Sequence, residues 1–257
     1  MILPLPQAQT AWILLAFCAA LIAIFLWNDL PDYRRFKALT ATGERRRHFR
    51  KWIVKSALMF GGTALAGLAI LGRLPALAGS GVPAEFAPLA APVPHVPIQE
   101  YFGPFLIGAG IGVFIGGAAV FAISRLRKKR PAKMVTLGDI EPILPRNNGE
   151  RVWAALLALN AGWCEELFFR LLLPLLLTLA SGNVLFGFGI AVAIFGLVHL
   201  YQGVAGMLAT AVLGALFAAI YVVSGNIWIA AAAHALVDLN GLLLQPLLRG
   251  YRSPKSA

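Results

Sequence analysis

Charge is what this chain has least of. Asp, Glu, Lys and Arg together make up 13% of its 257 residues, about half the share of a soluble globular domain. Hydrophobic residues reach 59%, and the mean hydropathy is +0.77. These figures argue against an ordinary soluble domain and for a polytopic membrane protein, whose helices satisfy their own backbone groups in lipid. Cysteine is almost absent. Cys18 and Cys164 lie far apart in apolar stretches, and no CxxC or Cys/His pattern accompanies them. A zinc finger is excluded, and both cysteines read as packing residues. The N-terminal stretch "MILPLPQAQTAWILLAFCAALIAIFLW" lacks a basic start and a small-residue cleavage site. A retained transmembrane helix is expected there, not a signal peptide. Phe17 before Cys18 makes a poor lipidation site.

What is present is a series of seven hydrophobic runs, long enough to cross a bilayer or nearly so. They extend from about Thr10 to Trp27, Trp52 to Gly72, Phe102 to Ser124, Val152 to Leu179, Val184 to Leu200, Ala205 to Val223 and Ile227 to Leu248. "ASGN" and "SGN" are short breaks of the kind that join antiparallel helices. The expected fold is therefore all-α, a polytopic bundle of about seven transmembrane helices.

The net charge of +11 sits between these runs, in "DYRRFKALTATGERRRHFRK", "RLRKKRPAK" and the tail "RGYRSPKSA". The Pro-rich segment after the second run has no Lys or Arg across its middle. The bias predicts an external N-terminus and a cytoplasmic C-terminus. Basic runs in such places face lipid headgroups, so a nucleic-acid partner is not expected. The bacterial cytoplasmic membrane is the expected location.

Within the runs, ionisable residues collect in the C-terminal half. Glu165, Glu166 and Arg170 share the fourth, His199 ends the fifth, and His234 and Asp238 lie on the seventh. A charge at the centre of a bilayer helix costs about 2.5–3.5 kcal/mol on insertion scales, so groups that persist there normally face one another or a wet cavity. Glu166 and Arg170 are four positions apart and can pair on one helix face, as can His234 and Asp238. Glu165 is rotated by about 100° from Glu166 and points at a different neighbour. One buried cleft can therefore gather two carboxylates, an arginine and two imidazoles. Such a cleft suits hydrolysis: a carboxylate in low dielectric is a competent general base for water. Imidazoles can orient that water, donate to an oxyanion or bind a metal. One geometric conflict stands against this convergence. At ~1.5 Å rise per residue, His199 lies some 22 Å along its run but His234 only about 10 Å along its own, so the helices must tilt or the boundaries must shift.

"EELFFR" (Glu165–Arg170), "FGLVH" (Phe195–His199) and "HALVD" (His234–Asp238) match, in order, the patterns EExxxR, FxxxH and HxxxN/D. The trio resembles the CPBP or Abi family of CAAX-protease-like intramembrane endopeptidases, related to the Ras-converting CAAX endopeptidase. The resemblance covers roughly Glu150 to Leu243. It implies that Glu165 activates water with help from His199, that Glu166 and Arg170 hold and polarise the site, and that His234 and residue 238 stabilise the oxyanion. Asp238 stands where the best-known CAAX enzymes have asparagine. An ionised aspartate cannot donate to an oxyanion, so Asp238 is either protonated or orients His234. Residues 1–135 then read as a three-helix scaffold with basic cytoplasmic loops, and 136–257 as the catalytic bundle.

Two other functions remain open: an ion- or proton-coupled transporter, since intramembrane carboxylates and histidines also form relays, and a non-catalytic immunity or peptide-binding protein. The absence of paired inverted repeats argues against the first, and the full residue set against the second. Metal-independent glutamate chemistry is favoured. Zinc is the alternative, with Glu165, His199 and His234 as its ligands, although no HExxH is present. The expected partners are the lipid bilayer and a membrane-associated peptide or protein substrate. Oligomeric state leaves no trace in the sequence.

Overall fold

The computed structural model describes residues 7–90 and 138–248. The expected helix Phe102–Ser124, the basic run 125–133 and the C-terminal tail lie outside the described residues. Among those described, every regular element is helical. Helix α1 is Gln7–Ala38, and α2 is Thr42–Ile70. Helix α3 runs through residues 148–181 as Asn148–Glu166, a wider turn Leu167–Leu172, and Leu173–Ser181. Helix α4 is Val184–Leu197, α5 is Gly203–Ser224, and α6 is Ile227–Leu248. Four of these (α1, α2, α5 with the turn before it, and α6) are long and apolar enough to cross a membrane, and α4 is a shorter apolar helix.

Two Ser-Gly-Asn turns join the C-terminal helices by the same chemistry. Gly182 and Gly225 adopt left-handed backbone (φ 71° and 64°), each returning its N–H to a carbonyl four residues back, on Thr178 and Tyr221. Glycine takes this conformation without strain, which stops the helix. The next residue, Asn183 or Asn226, then accepts from the backbone N–H of Phe186 or Trp228 and starts the following helix.

Helix α3 is the central rod. From Glu166 to Leu176 every residue is buried, as expected for a helix surrounded by others rather than facing lipid on one side. Its wide turn packs against a second one in α2, Ala57–Gly62, where the Phe60 ring lies 5.2 Å from Phe168 and 5.1 Å from Phe169. The outer helices present Trp12, Phe17, Leu58, Phe186, Leu208 and Val212 outwards. Such an apolar exterior belongs in hydrocarbon, and the chain is an integral membrane protein. Cys18 and Cys164 are buried and free, in agreement with packing roles.

Beyond the core, a polar junction ties the helices at one end. Arg45 on α2 and Glu150 on α3 pair at 3.0 Å, both fully buried, and Arg45 also donates to the carbonyls of Pro142 and Leu144. This pair fixes where α3 begins relative to α2, and so the depth at which Glu165 is set.

Candidate active site

Two close approaches bring the motif helices together. At Gly162 on α3, a Cβ would lie 2.7 Å from the Ala231 carbonyl and 2.9 Å from the Ala235 nitrogen on α6. Only glycine lets the two backbones meet so closely, and the contact falls one turn before the glutamates and one before His234. At Gly214 on α5, a Cβ would lie 2.7 Å from the Phe195 ring. That space admits Phe195 and, behind it, Arg170.

The adjacent glutamates then part company. Glu166 is fully buried: its Oε1 accepts from His234 Nδ1 at 2.8 Å, and its Oε2 pairs with Arg170 Nε at 3.2 Å. The Arg170 guanidinium lies flat over Phe195, 3.8 Å from the ring centroid, a cation–π contact that helps a charge tolerate burial. His234 stacks on Phe217, with centroids 4.9 Å apart and planes within 16°. Glu165, one residue back and a third of a turn around, opens onto a cavity of about 300 Å³ that His199, His234 and Asp238 also line. Its Oε2 is buried without a hydrogen-bond partner, 3.8 Å from His199 Nε2.

His199 departs from the expected helix. Helix α4 ends at Leu197, and His199 sits in the turn beyond it, held by its own N–H to the Gly196 carbonyl. Its Nδ1 is 2.8 Å from the Phe195 carbonyl. A carbonyl only accepts, so Nδ1 carries the proton and Nε2 presents a lone pair towards Glu165. The depth conflict between His199 and His234 does not prevent them from lining one cavity. Asp238 Oδ2 lies 3.6 Å from His234 Nε2, one helical turn along α6. The structure thus brings together all six residues singled out in the sequence, four at the cavity wall and two, Glu166 and Arg170, behind it.

The wall also contains residues that the sequence did not point to. Helices α1 and α2 contribute Phe25, Asp29, Tyr33, Trp52 and Lys55. Lys55 Nζ lies 3.3 Å from Asp29 Oδ1 and 4.0 Å from the Phe25 ring centroid. Tyr201 and Gln202, just past His199, line the cavity as well. Only the apolar-to-polar break at the end of the fifth run hinted at them. As for zinc, no three His, Cys, Asp or Glu side chains among the described residues are gathered as a ligand set. Glu165 and His199 are 3.8 Å apart, while Nδ1 of His234 is committed to Glu166. His234 Nε2, 3.6 Å from Asp238, is the one ring nitrogen that residue has left for a ligand.

The site is a buried glutamate–histidine cluster that opens on a cavity within a membrane helix bundle. Residues 147–240 match the model described as type II CAAX prenyl endopeptidase Rce1-like. Neither the curated proteins nor the solved structures contain a match to this chain.

Proposed function

We propose that the chain is an intramembrane endopeptidase in which Glu165 activates water to cleave a peptide bond of a membrane-associated protein or peptide. The observation that carries this reading is the division between the two glutamates. Glu166 is fully buried behind the wall, hydrogen-bonded to His234 and ion-paired with Arg170, whereas Glu165 lines the cavity with its Oε2 towards His199. The 3.8 Å between Glu165 Oε2 and His199 Nε2 suits one water donating a proton to each, at about 2.8 Å from both. Its remaining lone pairs are then free to attack a carbonyl. Glu165 takes the proton as general base and returns it to the leaving amine. His199 orients the water, and Glu166 with Arg170 fixes His234, whose Nε2 faces the cavity beside Asp238. No step passes through a metal.

In this arrangement the basic ends of α1 and α2 lie on the cytoplasmic side of a bacterial membrane, with the N-terminus outside. The test is a quantitative comparison of membrane proteomes from cells carrying the wild type and Glu165→Gln. One or more precursors should accumulate uncut in the variant. Identical proteomes, together with altered ion flux, would instead favour a proton relay.

A further inference from the structure

The cavity is short of hydrogen-bond donors for the charge that hydrolysis creates. When water adds to the scissile carbonyl, its proton passes to Glu165 and the carbonyl oxygen becomes an oxyanion. Preorganised donors aimed at that oxygen are usually the largest single contribution to such catalysis. An ionised Asp238 accepts only. His234 has one nitrogen committed to Glu166, and the other faces Asp238 at 3.6 Å. Among the other donors on the wall, Trp52 Nε1 is bonded to Asp32, Tyr33 to the Asp139 carbonyl and Lys55 to Asp29, while the hydroxyls of Ser56 and Thr210 also line the cavity, away from the turn that carries His199.

Tyr201 differs from all of these. Its ring is held between Tyr33, at 4.9 Å, and His199, at 5.9 Å between centroids. Its hydroxyl accepts a hydrogen bond from Gln202 Nε2 at 3.1 Å and, among the described residues, donates to nothing. A hydroxyl has one proton and two lone pairs. With Gln202 on a lone pair, the proton is turned elsewhere, and Tyr201 lines the same cavity as Glu165, His199 and Asp238. The backbone beneath it is pinned, because Asp139 N–H donates to the Gln202 carbonyl at 2.8 Å. Gly138 packs directly on Gln202 and Gly206.

We infer that Tyr201 is a further catalytic residue, whose hydroxyl donates a hydrogen bond to the oxyanion formed on the scissile carbonyl. The inference rests on the proposed protease reading. In the forward step a C–O bond forms from water, the water proton goes to Glu165, and the carbonyl electron pair moves onto oxygen, which accepts a hydrogen bond from Tyr201. On collapse the C–N bond breaks, and the amine leaves with the proton from Glu165. Tyr201 keeps its own proton throughout. A neutral donor is the natural partner for an oxyanion beside three carboxyl groups, because it adds no charge to be solvated in the resting state.

The test uses the full-length protein and the precursor that accumulates with Glu165→Gln. Tyr201→Phe removes the hydroxyl and keeps the ring between Tyr33 and His199, so melting in detergent should equal the wild type. Removing one oxyanion donor costs about 10²–10³-fold in kcat, and this loss is expected with KM changed by no more than a few-fold. A kcat within about three-fold of the wild type would overturn the inference while leaving the role of Glu165 intact. A kcat loss in Ser56→Ala, whose hydroxyl is buried without a partner at the same cavity, combined with none in Tyr201→Phe, would move the donor to α2 and also overturn it. Should no precursor accumulate with Glu165→Gln at all, the protease reading fails first, and the inference falls with it.

Discussion

Exchanging each of the neighbouring glutamates for glutamine should produce two different defects. Glu166 accepts a hydrogen bond from His234 Nδ1 and forms an ion pair with Arg170, its Oε2 lying 3.2 Å from Nε, in a site with no exposure to solvent. Glutamine has one acceptor oxygen and an NH₂ group, so Glu166→Gln turns one of these contacts into donor against donor. It also leaves Arg170, 1% exposed, without its counter-ion. Removing one partner of a buried pair costs about 3–5 kcal/mol. At roughly 2–4 °C per kcal/mol for domains of 150–250 residues, the melting temperature should fall by about 6–20 °C. Activity should fall with it, since His234 loses its anchor.

Glu165 has no such ties. Its Oε2 touches no donor in the protein, and a neutral amide is cheaper to bury than a carboxylate. Glu165→Gln should therefore melt like the wild type or slightly higher, while cleavage drops by about 10²–10⁴-fold with the loss of the base. The assay is thermal unfolding in detergent alongside cleavage of the precursor identified in cells. Full cleavage by Glu165→Gln, or an unchanged melting temperature in Glu166→Gln, would refute the assignment of base to one and anchor to the other.

Gly162→Ala should lower both melting temperature and activity, because the added methyl meets the Ala231 carbonyl and Ala235 at under 3 Å and must push α3 and α6 apart; native-like values for both would show that the contact is not needed. Treating purified protein with a chelator should leave cleavage intact, whereas activity lost on chelation and regained with zinc would reverse the preference for glutamate chemistry. A reporter active only in the cytoplasm should give signal when fused after residue 257, and signal from a fusion in the 80–90 segment instead would invert the proposed topology.

The sequence by itself determined the elements and the residue set. Hydrophobic runs are long and composition-driven, so six of the seven expected helices overlap observed ones, although α1 extends eleven residues past its run and α2 starts ten residues before its own. The third lies outside the described residues. The Ser-Gly-Asn turns were legible because their chemistry is local. The six ionisable residues that cluster were legible because charge inside hydrocarbon is costly, which makes each one conspicuous against its neighbours. Tertiary structure decided what local pattern cannot carry. It gave Glu166 the double contact and left Glu165 open to the cavity, a difference set by which helix each of two adjacent residues faces. It placed His199 in a turn, where the Phe195 carbonyl selects its tautomer. It also brought Asp29, Lys55 and Tyr33, more than 100 residues away in the chain, into the same wall as Glu165. No spacing rule connects positions so distant; only the packing of α1 and α2 against the catalytic helices does.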